Sequence, residues 1–351
     1  MARRGVTLAD VAARAGVSRS TASLAFSGAG PVAEATRQRV LAAAAALGYA
    51  GPDPLARSLR HGRSGVVGVA IGDRLLDAFR DPVAVALLDG MSEELTALGS
   101  ALLLLPGDSR RTARPPGLLT GLPLDALVCA GCDDEFPLVP PVLARGVPMV
   151  AVEGPRHPDI PIVDIDHRGG TRQAAGHLVA LGHERVAVVS LPLTANPRPG
   201  PASAERLART TFALCRERLA AVTDVLGPGV PVIETGANLV EEGERAAATV
   251  LDLRPRPTAV IAQADLLAIG VIRAATKAGL RVPEDLSVVG FDGIDATGWL
   301  SHPLTTVVQP MQEKGHVAGR MVADLLAGRR PGDVTLPVTF RVGATTGPPP
   351  R

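Results

Sequence analysis

Aromatic side chains are scarce: one tryptophan, one tyrosine and six phenylalanines make up 2% of 351 residues. Few are therefore left to stack on a sugar or a purine. Cysteine is scarcer still, with Cys129, Cys132 and Cys215 alone. An odd, small number argues against a disulfide framework. Cys129 and Cys132 form a CxxC in LVCAGCDD, the spacing of a redox pair or half a zinc site. No second CxxC or HxxxH accompanies it, and it follows a strand-like apolar run, so buried strand-end thiols are the simpler reading and no metal or cofactor is expected. No apolar run approaches the roughly 18 to 20 residues of a membrane span. The opening MARRGVTLADVA carries charge but no apolar signal region, which predicts a cytoplasmic protein with no membrane partner. GxGxxG after the first strand-like run, GxxxxGK[ST] and GxSxG are all missing, which removes support for a dinucleotide enzyme, a P-loop NTPase or an α/β-hydrolase.

What is present is an apolar, well-mixed chain, 46% hydrophobic and 20% charged, long enough for two or three domains. Its charge is unevenly placed. Residues 1–63 hold nine arginines against Asp10, Glu34 and Asp53, a net +6, which leaves −5 for the remainder of a chain whose total is +1. A basic head on an acidic body suits a nucleic-acid-binding module joined to a sensor more than it suits a merely solvated basic face.

The first fifty residues read as three helices. Thr7 can cap a helix whose third residue, Asp10, complements its positive end; Leu8, Val11 and Ala12 then share one face, and Gly16 stops it after Ala15. Ser18 caps a second helix over roughly Arg19–Phe26, and a third runs over about Glu34–Leu47 to Gly48. Helix, tight glycine turn, helix and supporting helix is the helix-turn-helix arrangement, whose second helix enters the major groove.

VTLADVAARAGVSRSTAS, then TRQRVLAAAAALGY and ARSLR, resembles the headpiece of the LacI/GalR family of bacterial transcription regulators. The resemblance implies that Arg19 and Ser20 face base edges, arginine being able to donate two bonds to guanine. Ser18, Thr21 and Ser23, with Thr7, are expected at phosphates or at helix caps. The family often has arginine where Leu24 stands; leucine there touches a thymine methyl or simply packs. Ala33 replaces the usual capping serine of the third helix, at a cost of about 1 kcal/mol.

Pro52 and Pro54 precede LARSLR, too short to hold as a helix alone, so by itself it reads as a linker. The resemblance makes it a hinge helix that orders when two copies pair over the minor groove. Leu59 then wedges between base pairs, Ala56 permits close backbone approach, and Arg57 and Arg60 hold phosphates.

From Gly65 onward GVVGVAIG, ALLLLPGD, DALVCAG, PMVAVEG and IPIVDID alternate with helical stretches, and RVAVVSL, VPVIETG, AVIAQAD and LSVVGFD form a second series. Two such series predict an α/β body of two parallel sheets covered by helices, with a ligand site at strand carboxyl ends between them. VDIDHRGGTRQAAGHLVALGHERVAVV, AGLRVPEDLSVVGFD, LTTVVQPMQEKG and RVGATTGP resemble the same family's sensor, itself similar to periplasmic sugar-binding proteins. The expected organisation is a helix-turn-helix headpiece at 1–50, a hinge at 51–63 and an effector-binding and dimerisation domain at 64–351. Within that domain the N-subdomain takes about 64–164 plus 293–327 and the C-subdomain about 165–290 plus 328–351. The implied crossovers lie near 164–166, 290–293 and 326–331.

Asp292 and Glu153 sit at strand ends, where a carboxylate can accept paired hydroxyl or amine hydrogens, although Glu153 is open to a purely solvated role. Asp265 lies near the cleft or caps a helix. Phe79 is the best stacking candidate. Arg206, in ERLARTTFAL, aligns with the family's effector-binding arginine, although Arg209 and Thr210 follow where a glycine and an aromatic are usual. Ala264 stands where the family commonly has asparagine, and PGDSRRTARPPGLL looks too short for the helix usual there. Together these imply a non-enzymatic repressor that binds palindromic double-stranded operator DNA as a homodimer. A sugar or other small polar metabolite in the cleft is expected to control it, unless the altered site binds nothing. With no heptad tail, a dimer is expected over a tetramer. His183, in LGHER, reads as structural. A periplasmic-type binding protein without a DNA role is the alternative class, and the missing secretion signal and the basic headpiece oppose it.

Overall fold

The computed structural model describes residues 6–27, 30–51, 63–72, 74–107 and 121–350. The chain divides into two compact units, Met1–Gly65 and Val66–Arg351.

In the first unit α1 (Leu8–Ala15), α2 (Arg19–Ser27) and α3 (Glu34–Leu47) enclose a small core. Thr7 and Asp10 form a reciprocal capping box at the start of α1, and Gly16, at φ 65°, closes it in the left-handed conformation. Ser18 Oγ accepts the Thr21 backbone N–H at 3.0 Å and so starts α2. Leu8 and Val11 of α1, Ala22 and Ala25 of α2, and Val40 and Ala44 of α3 are buried together. The small alanines let short helices pack closely without large side chains. Ala33 offers α3 no side-chain cap, as its lack of an acceptor requires.

The second unit runs β1 (Val66–Ile71), α4 (Leu75–Ala78), α5 (Pro82–Ala97), β2 (Ala101–Pro106), β3 (Ala126–Ala130), α6 (Val139–Ala144), β4 (Met149–Val152) and β5 (Ile162–Ile165). It continues with α7 (His167–Ala180), β6 (Val186–Ser190), β7 (Gly200–Pro201), α8 (Ala204–Ala208), α9 (Ala213–Leu226), β8 (Val232–Glu234), α10 (Val240–Asp252), β9 (Ala259–Ala262) and α11 (Asp265–Lys277). It ends with β10 (Ser287–Asp292), β11 (Thr305–Val308), α12 (Met311–Leu326), β12 (Val334–Leu336) and β13 (Thr339–Arg341).

Two sheets result. The first has the order β12-β5-β4-β3-β1-β2, parallel throughout; the second has the order β13-β11-β10-β9-β6-β8-β7, with antiparallel β13 and β7 at its edges. The central strands are buried from end to end, as parallel strands with helices on both faces must be, which is why they read as continuous apolar runs. In the first lobe α5 and α12 pack at glycines: a Cβ at Gly315 would stand 2.2 Å from the Leu87 carbonyl oxygen.

The chain first passes from one lobe to the other between Ile165 and His167. The other two crossovers differ from the sequence expectation. The stretch 293–308 stays with the second lobe, because Thr305–Val308 pairs in parallel with β10, Val289 opposite Thr305. The chain returns to the first lobe through Gln309 and Pro310 rather than near 290–293. It leaves again after Leu336 rather than near 326–331, because Val334–Leu336 adds beside β5. TTVV is short and half threonine, too weak a pattern to be counted as a strand from sequence. All three cysteines are buried. His183 is buried against the hydroxyls of Thr258 and Ser287 and the Gly347 carbonyl, a structural role.

Candidate functional site

On the first unit, the α2 start exposes Arg19 and Ser20. Ser18 Oγ lies 2.7 Å from Ser20 Oγ and 2.8 Å from Thr21 Oγ1, so three hydroxyls cluster at the helix N-terminus, where backbone N–H groups and the helix dipole favour a phosphate. Thr7 is exposed at the start of α1, and Ser23 is half-buried on α2. Leu24 is 37% exposed, and its side chain lies against Gly30. Ala56, Arg57, Leu59 and Arg60 lie outside the described residues.

On the second unit, a cavity of about 140 Å³ opens at the carboxyl ends of β1, β3, β4, β6 and β10. Both lobes line it. Asp81, Glu153 and Lys314 come from the first; Arg218, Asn238 and Asp292 come from the second, with Gln309 on the crossover between them. Its walls include Val83, Leu87, Phe212 and Leu214.

Hydrogen bonds link several of the polar groups. Lys314, 1% exposed on α12, donates from Nζ to Glu153 Oε2 and to Gln309 Oε1. Gln309 Nε2 donates to Asp292 Oδ1 at 2.6 Å, which joins the lobes. Arg218 Nε donates to His167 Nδ1 at 3.2 Å, so the His167 hydrogen sits on Nε2, facing Asp164 Oδ1 at 3.1 Å and Glu153 Oε1 at 3.3 Å. The Arg218 guanidinium also donates to the Gln263 carbonyl and lies 3.6 Å above the Phe291 ring.

Burial opposes charge throughout, and the outcome differs by residue. For Glu153 the Lys314 ammonium, with His167 and Arg218 beyond it, outweighs burial and holds the carboxyl below its usual range. Asp292 has no such partner; burial and the neighbouring Asp265 push it well up. Burial likewise raises Asp81, against the Val83 N–H and Asn238 amide that favour its charge. It lowers His167, which is neutral.

The lobes also meet at the cavity rim. Arg80 pairs with Glu241 at 2.5 Å and Asn238 Nδ2 donates to Asp81 Oδ2 at 3.1 Å; elsewhere Arg216 reaches Asp134 at 2.7 Å and Thr211 Oγ1 donates to Asp133 Oδ2 at 3.1 Å.

Of the five residues expected at an effector, Glu153 and Asp292 line the cavity. Arg206 does not: Glu234 holds its guanidinium through two bonds, at 2.7 and 2.5 Å, and Thr194 takes a third. Asp265 is buried behind Asp292, where its carboxylate accepts from Gly293 N–H, Ile294 N–H and Thr306 Oγ1. It therefore ties β10 and β11 to α11 instead of capping its own helix. Phe79 is 61% exposed and outside the lining; the cavity aromatic is Phe212. Sequence reasoning missed Asp81, Arg218, Asn238, Gln309 and Lys314. Gln309 and Lys314 fall in QPMQEKG, a stretch used only for resemblance.

Residues 7–51 match the model for bacterial regulatory proteins of the lacI family, and residues 175–346 match a periplasmic binding protein-like domain. The chain is similar to an HTH-type transcriptional regulator of Mycobacterium tuberculosis, 36% identical over 99% of this chain and 98% of the relative. It is similar in structure to the lac repressor dimer bound to operator and an anti-inducer: TM-score 0.76, 26% identity, 98% of this chain and 100% of that one. A complex of the transcriptional regulator CelR with cellobiose gives TM-score 0.68, 28% identity, 97% of this chain and 99% of that one.

Proposed function

The chain belongs to the lacI family of bacterial regulatory proteins and is a DNA-binding transcription regulator, not an enzyme; from that premise we propose that it is a dimeric repressor of palindromic operators under the control of a small polar effector. The observation that carries the DNA reading is the exposed start of α2, with Arg19 and Ser20 outermost and a hydroxyl cluster beside them. Arg19 reads a guanine edge and Ser20 a neighbouring base; Thr7, Ser18, Thr21 and Ser23 fix the register on phosphates, and Leu24 borders the same surface. Two-fold symmetry of a dimer imposes inverted half-sites. The hinge roles of Ala56, Arg57, Leu59 and Arg60 belong to the same proposal.

Effector control is supported by the inter-lobe cavity, where Glu153 and Asp292 meet Arg218, Lys314 and Gln309. Lac repressor is known with an anti-inducer and CelR with cellobiose, and the same arrangement of lobes supports a sugar or similarly polar effector here. At about 140 Å³ the cavity lies below the roughly 300–1,000 Å³ of drug-sized sites, so a monosaccharide-sized molecule fits better than a disaccharide. A ligand preferring one arrangement of the lobes shifts DNA affinity by that preference alone.

A gel shift with the DNA beside its own gene tests the first claim. Retardation abolished by an unlabelled inverted repeat, and not by a scrambled one, supports it. No retardation at low ionic strength, or a strictly monomeric protein at high concentration, ends it.

A further inference from the structure

Resting on the effector reading, we propose that the ligand of the inter-lobe cavity carries a protonated amine, seated between Asp81 of the first lobe and Asp292 of the second.

The argument begins with which polar groups are already occupied. Lys314 is held by Glu153 and Gln309, and Arg218 by His167, the Gln263 carbonyl and the Phe291 face. Neither cation hydrogen-bonds Asp81 or Asp292. Among the described residues those two carboxyls receive only neutral donors: the Val83 N–H and the Asn238 amide for Asp81, and the Gln309 amide and the Asp265 N–H for Asp292. Two cations thus face three carboxyls around one small cavity, and Asp265 stands behind as a fourth. Burial raises both, with Glu153 adding to the rise of Asp81, and Asp265 and then Asp81 adding to that of Asp292.

Hydrogen-bond polarity agrees. Asn238 is oriented by donating to Asp81, and its buried Oδ1 has no partner among the described residues. Asp81, Asn238 Oδ1 and Asp292 therefore present acceptors. An ammonium has three donors and no lone pair, so it satisfies such a set without leaving an acceptor of its own unmatched. A hydroxyl brings lone pairs that need donors. The ammonium also supplies the charge that lets both carboxyls ionise, and it bridges the lobes by touching one from each.

The test uses the full chain in thermal-shift and calorimetric titrations with matched probes: glucosamine and glucose, galactosamine and galactose, and 1-amino-1-deoxysorbitol and sorbitol. An amine should raise the melting midpoint where its hydroxyl partner does not. Asp81→Asn and, separately, Asp292→Asn should weaken that amine by about tenfold or more, the scale of one lost buried charge contact. Each variant's cooperative melt without ligand checks its fold. Equal or better binding of the hydroxyl partner, unchanged amine affinity in both variants, or no response to any amine overturns the assignment. Release of operator by a neutral polyol would sink the amine and leave effector control standing. Loss of DNA binding by the unmodified chain would instead sink the regulator reading.

Discussion

Glu153, one residue past β4 of one sheet, and Asp292, the last residue of β10 of the other, both hold positive φ, 46° and 132°, while facing the same cavity. They are the only non-glycine residues with positive φ among the described residues. Such conformations cost of order 1–3 kcal/mol each and persist where the surroundings fix them. Here the fixing groups are Lys314 for Glu153 and the Gln309 amide for Asp292.

Asp292→Gly should therefore stabilise the fold while removing effector response. Glycine relieves the backbone, and the variant also loses a buried carboxyl repelled by Asp265. A net gain of about 1 kcal/mol is expected in urea unfolding. Asp292→Ala, which removes the carboxyl but keeps the strain, should gain less. A glycine variant less stable than the alanine one would contradict the account.

The Lys314–Glu153 pair should be strongly non-additive. Removing one partner leaves a buried charge alone, so Lys314→Met and Glu153→Gln should each cost about 3–5 kcal/mol, and the double variant far less than their sum. The pair also sets a pH dependence. The Glu153 carboxyl is held below its usual value in the fold, so its contribution is present at neutral pH. It is lost as pH falls below the ordinary glutamate range and through the folded value. Asp265 works oppositely: raised by burial to about 6, it costs stability as pH rises from its ordinary 3.8 toward 6. Melting midpoints across pH 3 to 7 should show the acid limb flattened in Glu153→Gln and the upper limb retained.

Much of this was legible from the amino acids, and the exceptions have a common cause. Thr7, Gly16, Ser18 and Gly48 fixed the headpiece because caps and left-handed turns are local chemistry. The buried strands showed as apolar runs, and their ends pointed to Glu153 and Asp292. Arg218 and Lys314 were hidden because a charged residue within RERLAAV or QEKGH carries no local mark of burial. Their burial depends on neighbours distant in sequence, His167 and Phe291 for one, Glu153 for the other. Arg206 shows the converse: the residue that pairs with it and keeps it outside the lining, Glu234, stands 28 residues on and leaves no local trace.

Ala33 offers a gain at a single position. It precedes α3 with φ −57° and ψ 137° and makes no side-chain bond. Ala33→Ser adds an oxygen able to accept a first-turn N–H and should stabilise the headpiece by about 1 kcal/mol. Hydrogen exchange of the α3 amides in the intact chain should slow correspondingly. Unchanged protection would mean that the serine rotamer cannot reach the helix end.

Arg19 separates base reading from simple charge. If its guanidinium holds a guanine edge, Arg19→Ala should cost about 1–3 kcal/mol on the specific operator and relax discrimination at one base pair of each half-site. Arg19→Lys keeps the charge but loses the planar fork, so it should retain non-specific binding yet recover little specificity. Fluorescence anisotropy over a salt series distinguishes the roles. A purely phosphate-binding residue would weaken all sequences equally, reduce the salt slope and be rescued by lysine. The exposed position of Arg19 one residue after the Ser18 cap, with Ser20 and Thr21 hydroxyls turned onto that cap, argues for the base edge. On the proposed reading the hydroxyls and helix end take the phosphate, and the longer side chain reaches past them into the groove.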